Sequence, residues 1–198
     1  MIPHVDTDMC PTRDRSKASI ASLASILLGL LSLGSCTTTT SKGMVPVELD
    51  IIATHPQSIS VHAEGTPRRF GFGPPFVQAD VLAGTIEEAI LKCELFDAIV
   101  PDKHADYLLH VAVTELDKPE SGLDMTAGIT MRWSLSKTDT RATVWIDTVT
   151  TAFTSSTNQS AKLEERLRTS IEGALRENIE LGLNKLSAVD LPGSLAVE

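Results

Sequence analysis

The chain has 198 residues, 17 Lys and Arg against 26 Asp and Glu, and a formal net charge of −9. That balance repels nucleic acid and anionic membrane surfaces, which excludes phosphate-backbone binding as a function class. Aromatic residues make up only 4% of the chain, which excludes a large aromatic-lined ligand barrel.

Arg13, Arg15 and Lys17 precede an apolar run from Ile20 to Leu33. A basic n-region, an apolar h-region and small residues before a cut site make a secretory signal. The run falls short of the roughly 20 apolar residues that span a bilayer, and it contains Ser22, Ser25 and Ser32. It closes on Leu33-Gly34-Ser35-Cys36. These four residues resemble the lipobox of bacterial lipoproteins. The resemblance implies that the Cys36 sulfur receives a diacylglyceryl group, that a peptidase cuts before it, and that the new amine is acylated. No other cofactor is expected. The rival reading of the run is a short uncleaved anchor. Residues 1–12 lie ahead of the charged n-region, and Met9 is an in-frame alternative start.

The expected organisation is a signal over 1–35, the lipidated Cys36 with a polar tether over 36–44, one domain over 45–187 and a flexible tail over 188–198. The signal's three cations are balanced by Asp6, Asp8 and Asp14, so the processed chain keeps the acidic excess. Cys10 leaves with the signal and Cys36 is consumed by lipid. Cys93 then stands alone, and no internal disulfide is expected.

Past the tether, Val45, Val47, Leu49 and Ile51 alternate with polar residues or proline, which predicts a strand. His55-Pro56 is expected to break it. Ile59, Val61 and Ala63 alternate again, and the two strands are expected to pair as a hairpin. Gly65 to Phe76 holds three glycines and three prolines and predicts a loop. It displays Arg68, Arg69, Phe70, Phe72 and Phe76. Arg and aromatics are favoured at interfaces, so Arg68, Arg69, Phe70 and Phe72 are the candidate partner-binding residues. The alternative is that these phenylalanines cap the core. Gly71-Phe72-Gly73 lacks a third glycine, and Pro74-Pro75 blocks the helix that a nucleotide loop would need.

Val81, Ile86, Ala89, Ile90, Cys93 and Phe96 recur at helical spacing over residues 77–96, with a capping-box spacing from Thr85 to Glu88. Short and long strands are expected next, at 98–100 and 106–116. Ile129, Met131, Trp133 and Leu135 alternate strictly with polar residues, and a turn over 138–141 leads to a β-branched partner strand at 143–154. The core face of that last strand is ambiguous, because Val144 and Ile146 favour one side and Trp145, Val149 and Phe153 the other. Residues 160–187 carry an apolar stripe of Leu163, Leu167, Ile171, Leu175, Ile179, Leu183 and Leu186 at spacings of three and four. The expected fold class is α+β: a two-layer domain with a mostly antiparallel or mixed sheet and two amphipathic helices packed on it.

Residues 80–187 resemble the auxiliary lipoproteins of bacterial ABC-type intermembrane transport systems. The resemblance rests on Ala105-Asp106-Tyr107-Leu108-Leu109 opening a strand and on Trp133-Ser134-Leu135 in the next. It also rests on the polar turn before Val144-Trp145, the long last helix and Cys36 near the start. The loop from Gly65 to Phe76 has no counterpart. The family implies a periplasmic domain tethered to the outer membrane that contacts protein partners and is not an enzyme. Thr37 after Cys36 is not the Asp associated with inner-membrane retention, which favours the outer membrane.

No G-x-S-x-G occurs and no catalytic residue is assigned. Glu87-Glu88 and Glu164-Glu165 are adjacent on helices and read as solvated faces. His55, His62, His104 and His110 lack ligand spacing, so no metal is expected. Cys93 lies on an apolar stripe and is expected to be an inert thiol. The leading expectation is therefore a non-enzymatic envelope lipoprotein with a protein partner. The alternatives are an envelope enzyme acting on lipid or peptidoglycan, and a small-ligand carrier.

Overall fold

The computed structural model describes residues 40–66, 76–118 and 122–197. Their order is α1 (Ser41–Met44), β1 (Ala53–Glu64), α2 (Ala79–Lys92), β2 (Phe96–Ile99), a 3₁₀ turn (Asp102–His104), β3 (Tyr107–Asp117), β4 (Met125–Lys137), β5 (Thr143–Ser155), α3 (Leu163–Ser187) and β6 (Leu195–Ala196). The main sheet runs β2-β1-β3-β4-β5, with β6 attached to the start of β1. β1 is parallel to both β2 and β3, while β3, β4 and β5 form an antiparallel meander. The α+β class holds, with a mixed sheet and helices on one face.

Strict alternation marks β4, which lies between β3 and the outer strand β5. Met125, Ala127, Ile129, Met131, Trp133 and Leu135 are all buried toward the helices, while the residues between them face the other way. β5 keeps register with it from Met125–Ser155 to Leu135–Trp145 and buries Val149 and Thr151, with Trp145 and Phe153 partly buried on the same side. That resolves its ambiguous face: Val144 and Ile146 are exposed. From α3, Ile171, Leu175, Ile179, Leu183 and Leu186 cover the meander, as its stripe predicts. The stripe's first residue, Leu163, is exposed. α2 covers β1 with Leu82, Ile86, Ala89 and Ile90. It runs through Thr85 rather than starting there, because the Thr85 hydroxyl donates back to the Val81 carbonyl at 2.7 Å. Asp80 in its first turn and Lys92 in its last suit the helix dipole.

The expected hairpin before the loop does not form. One strand runs from Ala53 to Glu64 straight through His55-Pro56. The β1–β2 ladder shifts register between His55 and Ser58, so Pro56 sits in an irregularity where its missing N–H is tolerated. Val45 to Ile51 is instead extended chain laid over the end of α2. Lys92 Nζ donates to the Pro46 and Val47 carbonyls at 2.9 Å each, and Leu49 and Ile51 pack on the core.

The segments flanking the domain also depart from expectation. The polar tether is docked from Thr40 onward, with Met44 fully buried. The tail folds back over β1, where Leu191 is buried and Thr54 and Ala53 pair with Leu195 and Ala196. Among the described residues no helix is long and apolar enough to cross a membrane.

Candidate functional site

Cys36, Arg68, Arg69, Phe70 and Phe72 all lie outside the described residues. The neck of the loop is described. Thr66 N–H donates to the Val77 carbonyl and Val77 N–H to the Thr66 hydroxyl, both at 3.0 Å. Phe76, read either as displayed or as capping the core, is buried in the core with Lys118 Nζ 5.4 Å from its ring centre. The loop thus leaves and re-enters the fold through a pinched base at the end of β1.

The helices leave the other face of the sheet uncovered, and its chemistry divides into two zones. Over β1 the face is strapped. β2 ends and β3 begins opposite the same residue, Ile59, on its two sides. Residues 100–106 must therefore cross β1 on its uncovered face. Ser60 donates to Asp102 Oδ1 at 2.6 Å, and His62 Nε2 donates to the same oxygen at 2.7 Å. Four residues on, Asp106 Oδ2 accepts from both the N–H and the hydroxyl of Ser58, at 2.8 and 2.7 Å. The Ser60 hydroxyl holds the Asp102 carboxyl below its ordinary range, with His62 second. The Ser58 N–H, then its hydroxyl, does the same for Asp106.

These serine, histidine and aspartate residues do not make a catalytic triad. A triad places the imidazole between hydroxyl and carboxylate so that it can take the hydroxyl proton. Here the carboxylate stands between the other two, and the serine proton points at Asp102. A second pair, Ser194 and His55, brings Oγ within 2.8 Å of Nδ1. That hydroxyl also reaches the Leu191 carbonyl at 2.8 Å, and His55 Nε2 is held by the Leu186 carbonyl at 3.3 Å. His55 is buried against the Phe96 ring, 4.9 Å between centres, and burial lowers its pKa. The pair fastens the tail to β1.

Away from the strap, β3, β4 and β5 present an open polar surface. Thr126 meets Thr154 at 2.8 Å and Thr130 meets Thr150 at 3.0 Å across β4 and β5. His110 reaches Glu64 at 3.2 Å at the β1 side. Among the described residues the surface ends at β5, the outermost strand of the sheet, on which Val144 and Ile146 are exposed. An edge strand offers unpaired N–H and C=O groups to a partner.

An open cleft of about 440 Å³ lies at the start of β3, lined by Gln57, Lys103, Asp106, Tyr107, Lys137 and Asp139. Its charged lining differs from the apolar cavity a small-ligand carrier uses. Cys93 is half-buried, and burial pushes its thiol pKa up. Among the described residues no group of three His, Cys, Asp or Glu is placed to hold a metal ion. Sequence reasoning misses both the strap and the free β5 edge. Both depend on long-range pairing, although the β-branched run from Thr143 to Thr154 is a signal for the strand itself.

No family model and no curated protein matches the sequence. Solved structures do. A Xanthomonas campestris protein described with the DUF330 family model has a TM-score of 0.53 at 17% identity, covering 73% of this chain and 91% of its own. A Chlamydia trachomatis hypothetical protein has a TM-score of 0.49 at 6% identity, covering 68% and 97%. A minor lipoprotein from Acinetobacter baumannii has a TM-score of 0.44 at 13% identity, covering 67% and 91%. The Xanthomonas likeness shows a shared fold at an identity where function does not transfer.

Proposed function

We propose that this chain is a non-enzymatic envelope lipoprotein, anchored by lipid on Cys36 at the periplasmic face of the outer membrane, that holds a protein partner as an accessory of a transport system. The single observation that carries partner binding is the β3–β4–β5 face, which among the described residues is uncovered and ends at an unpaired 13-residue edge strand. A polar, threonine-rich face with exposed Val144 and Ile146 at its border has the mixed chemistry of an interface rim and anchor. The pinched loop with Arg68, Arg69, Phe70 and Phe72 is the second contact element in this reading. Lipobox chemistry on Leu33-Gly34-Ser35-Cys36 supplies the address, and Thr37 in place of Asp favours the outer membrane.

The test is site-specific photocrosslinking in the native envelope. A crosslinking residue at Ile146 should capture a component of a transport assembly, identified by mass spectrometry, while one at Glu87 on the helix layer should not. Equal capture from both positions, or none from Ile146, rejects the face.

A further inference from the structure

The chain between the proposed lipid and the folded domain is three residues, Thr37 to Thr39. Thr40 is already fixed. Its N–H and its hydroxyl both donate to Glu172 Oε1 of α3, at 2.8 and 3.0 Å. At Gly43, a Cβ would overlap the Glu172 carboxyl where it now sits, so any other residue here would shift that side chain. Arg176 Nη1 then donates to the Gly43 carbonyl at 3.1 Å, and Met44 is buried. The first residues of the domain are a dock on the middle of α3.

Covalent geometry limits where the lipid can sit. Four Cα-to-Cα steps at about 3.3–3.6 Å each place the lipidated residue within about 14 Å of Thr40. A domain of this length has a radius of gyration of about 15 Å. The reach of the stub is shorter than the width of the domain. We infer that the anchor is an orienting stub and that the α1–α3 surface around Thr40, Lys42 and Glu172 is a lipid-facing surface, with the open face of the sheet turned away from the bilayer. This placement rests on the lipid anchor proposed above.

The charge of the surface fits that partner. On a chain of net −9, Lys42 is an exposed cation in α1, while Arg168 is ion-paired with Glu172 at 3.9 Å and Arg176 is bound to the Gly43 carbonyl. Cations next to an acyl anchor meet phosphate headgroups and add a second, electrostatic signal to the lipid chains. The same placement presents the β5 edge to the periplasm, where a protein partner can reach it.

The test uses the full-length protein processed in its own envelope and returned to phosphatidylethanolamine–phosphatidylglycerol vesicles carrying headgroup-proximal doxyl lipid. In a Cys93→Ser background, Lys42→Cys or Thr148→Cys takes a fluorophore. A lipidated Cys36 cannot take dye and an unlipidated one does. Mass spectrometry of the labelled protein thus separates failure of the anchor from failure of the orientation. With the anchor present, the dye at position 42 should lose most of its emission and the dye at 148 should keep it. A flexible 12-residue Gly-Ser insertion before Thr40 lengthens the tether by about 19 Å r.m.s., and it should abolish the difference. Equal emission at both positions overturns the orientation. A difference that survives the insertion overturns the stub as its cause.

Discussion

Gly182 lies flat against the indole of Trp133. A Cβ at that position would stand 2.3 Å from the ring, and Gly173, two and a half turns earlier on α3, stands in the same relation to Phe153. The two glycines are places where α3 lets aromatic rings of the sheet press against its backbone. Gly182→Ala therefore forces the fully buried Trp133 out of its site. Overpacking of this kind costs about 1–3 kcal/mol, occasionally more. Urea melts of the two proteins should differ by at least that much, and equal midpoints would show that the ring moves freely.

Gly84 gives the opposite forecast. It lies inside α2, is exposed, and a Cβ there would meet nothing within 4 Å. Glycine in a helix interior is less favourable than alanine by about 0.5–1 kcal/mol. Gly84→Ala should raise the melting temperature. A lower one would mean that the exposed side of α2 is engaged in the free protein.

A single buried amide ties α3 to the sheet. Asn178 Oδ1 accepts from Trp133 Nε1 at 3.2 Å, and its Nδ2 donates to the Val149 carbonyl at 2.8 Å and toward Thr151 Oγ1 at 3.3 Å. Thr151 in turn donates to the Ala174 carbonyl at 2.7 Å. Asn178→Leu leaves the indole N–H without its acceptor in a dry core, at about 1–3 kcal/mol for each group orphaned. Calorimetry should show the loss. Pairing it with Trp133→Phe should recover part of it, because no buried donor then remains, and full additivity of the two changes would contradict the link.

These residues mark where the sequence stops being legible. β4 could be read because its alternation is unbroken, and α3 because its leucines and isoleucines repeat at three and four. Asn178, Gly173 and Gly182 are equally part of the buried face of α3, yet as polar or small residues they look like solvated positions until Trp133 and Phe153 are seen opposite. Pro56 reads as a breaker because local rules cannot foresee a register shift between β1 and β2. The strap from Asp102 to Asp106 binds Ser58, Ser60 and His62 from 40 or more residues away, a distance no periodicity reports. The site residues assigned from sequence, Cys36, Arg68, Arg69, Phe70 and Phe72, lie outside the described residues. The docked Thr40 and the neck at Thr66 and Val77 are what the structure adds beside them.

The strap itself can be tested. Asp106 accepts two hydrogen bonds from Ser58, and Asp106→Asn keeps the shape while removing the charge. Charge-assisted bonds are roughly twice as strong as neutral ones, though an exposed site such as this is screened. Hydrogen exchange should quicken at Ser58 N–H with little change at Val149 in the core. Uniform quickening across the sheet would mean that the strap sets global stability instead of local order.

His55 controls stability at mildly acidic pH. Burial lowers its pKa below the ordinary 6.5, with the Leu186 carbonyl offsetting part of that effect. The folded state therefore favours the neutral ring, and an unfolded chain takes up the proton first. Stability from this group is fully present above pH 6.5 and is lost as pH falls through the lower folded value. The carboxyls held low by hydrogen bonds, Asp102, Asp106, Asp147 and Glu165, have the same sign but act lower, from ordinary values of 3.8 for Asp and 4.5 for Glu downward. The interval from pH 6.5 down to 4.5 thus separates His55 from these carboxyls. Denaturant midpoints should fall across it in the wild type. In His55→Gln the curve should start lower, because the contacts to Ser194 and Leu186 are weakened, and should run flatter. Parallel curves for the two proteins would place the pH dependence elsewhere and leave His55 as packing alone.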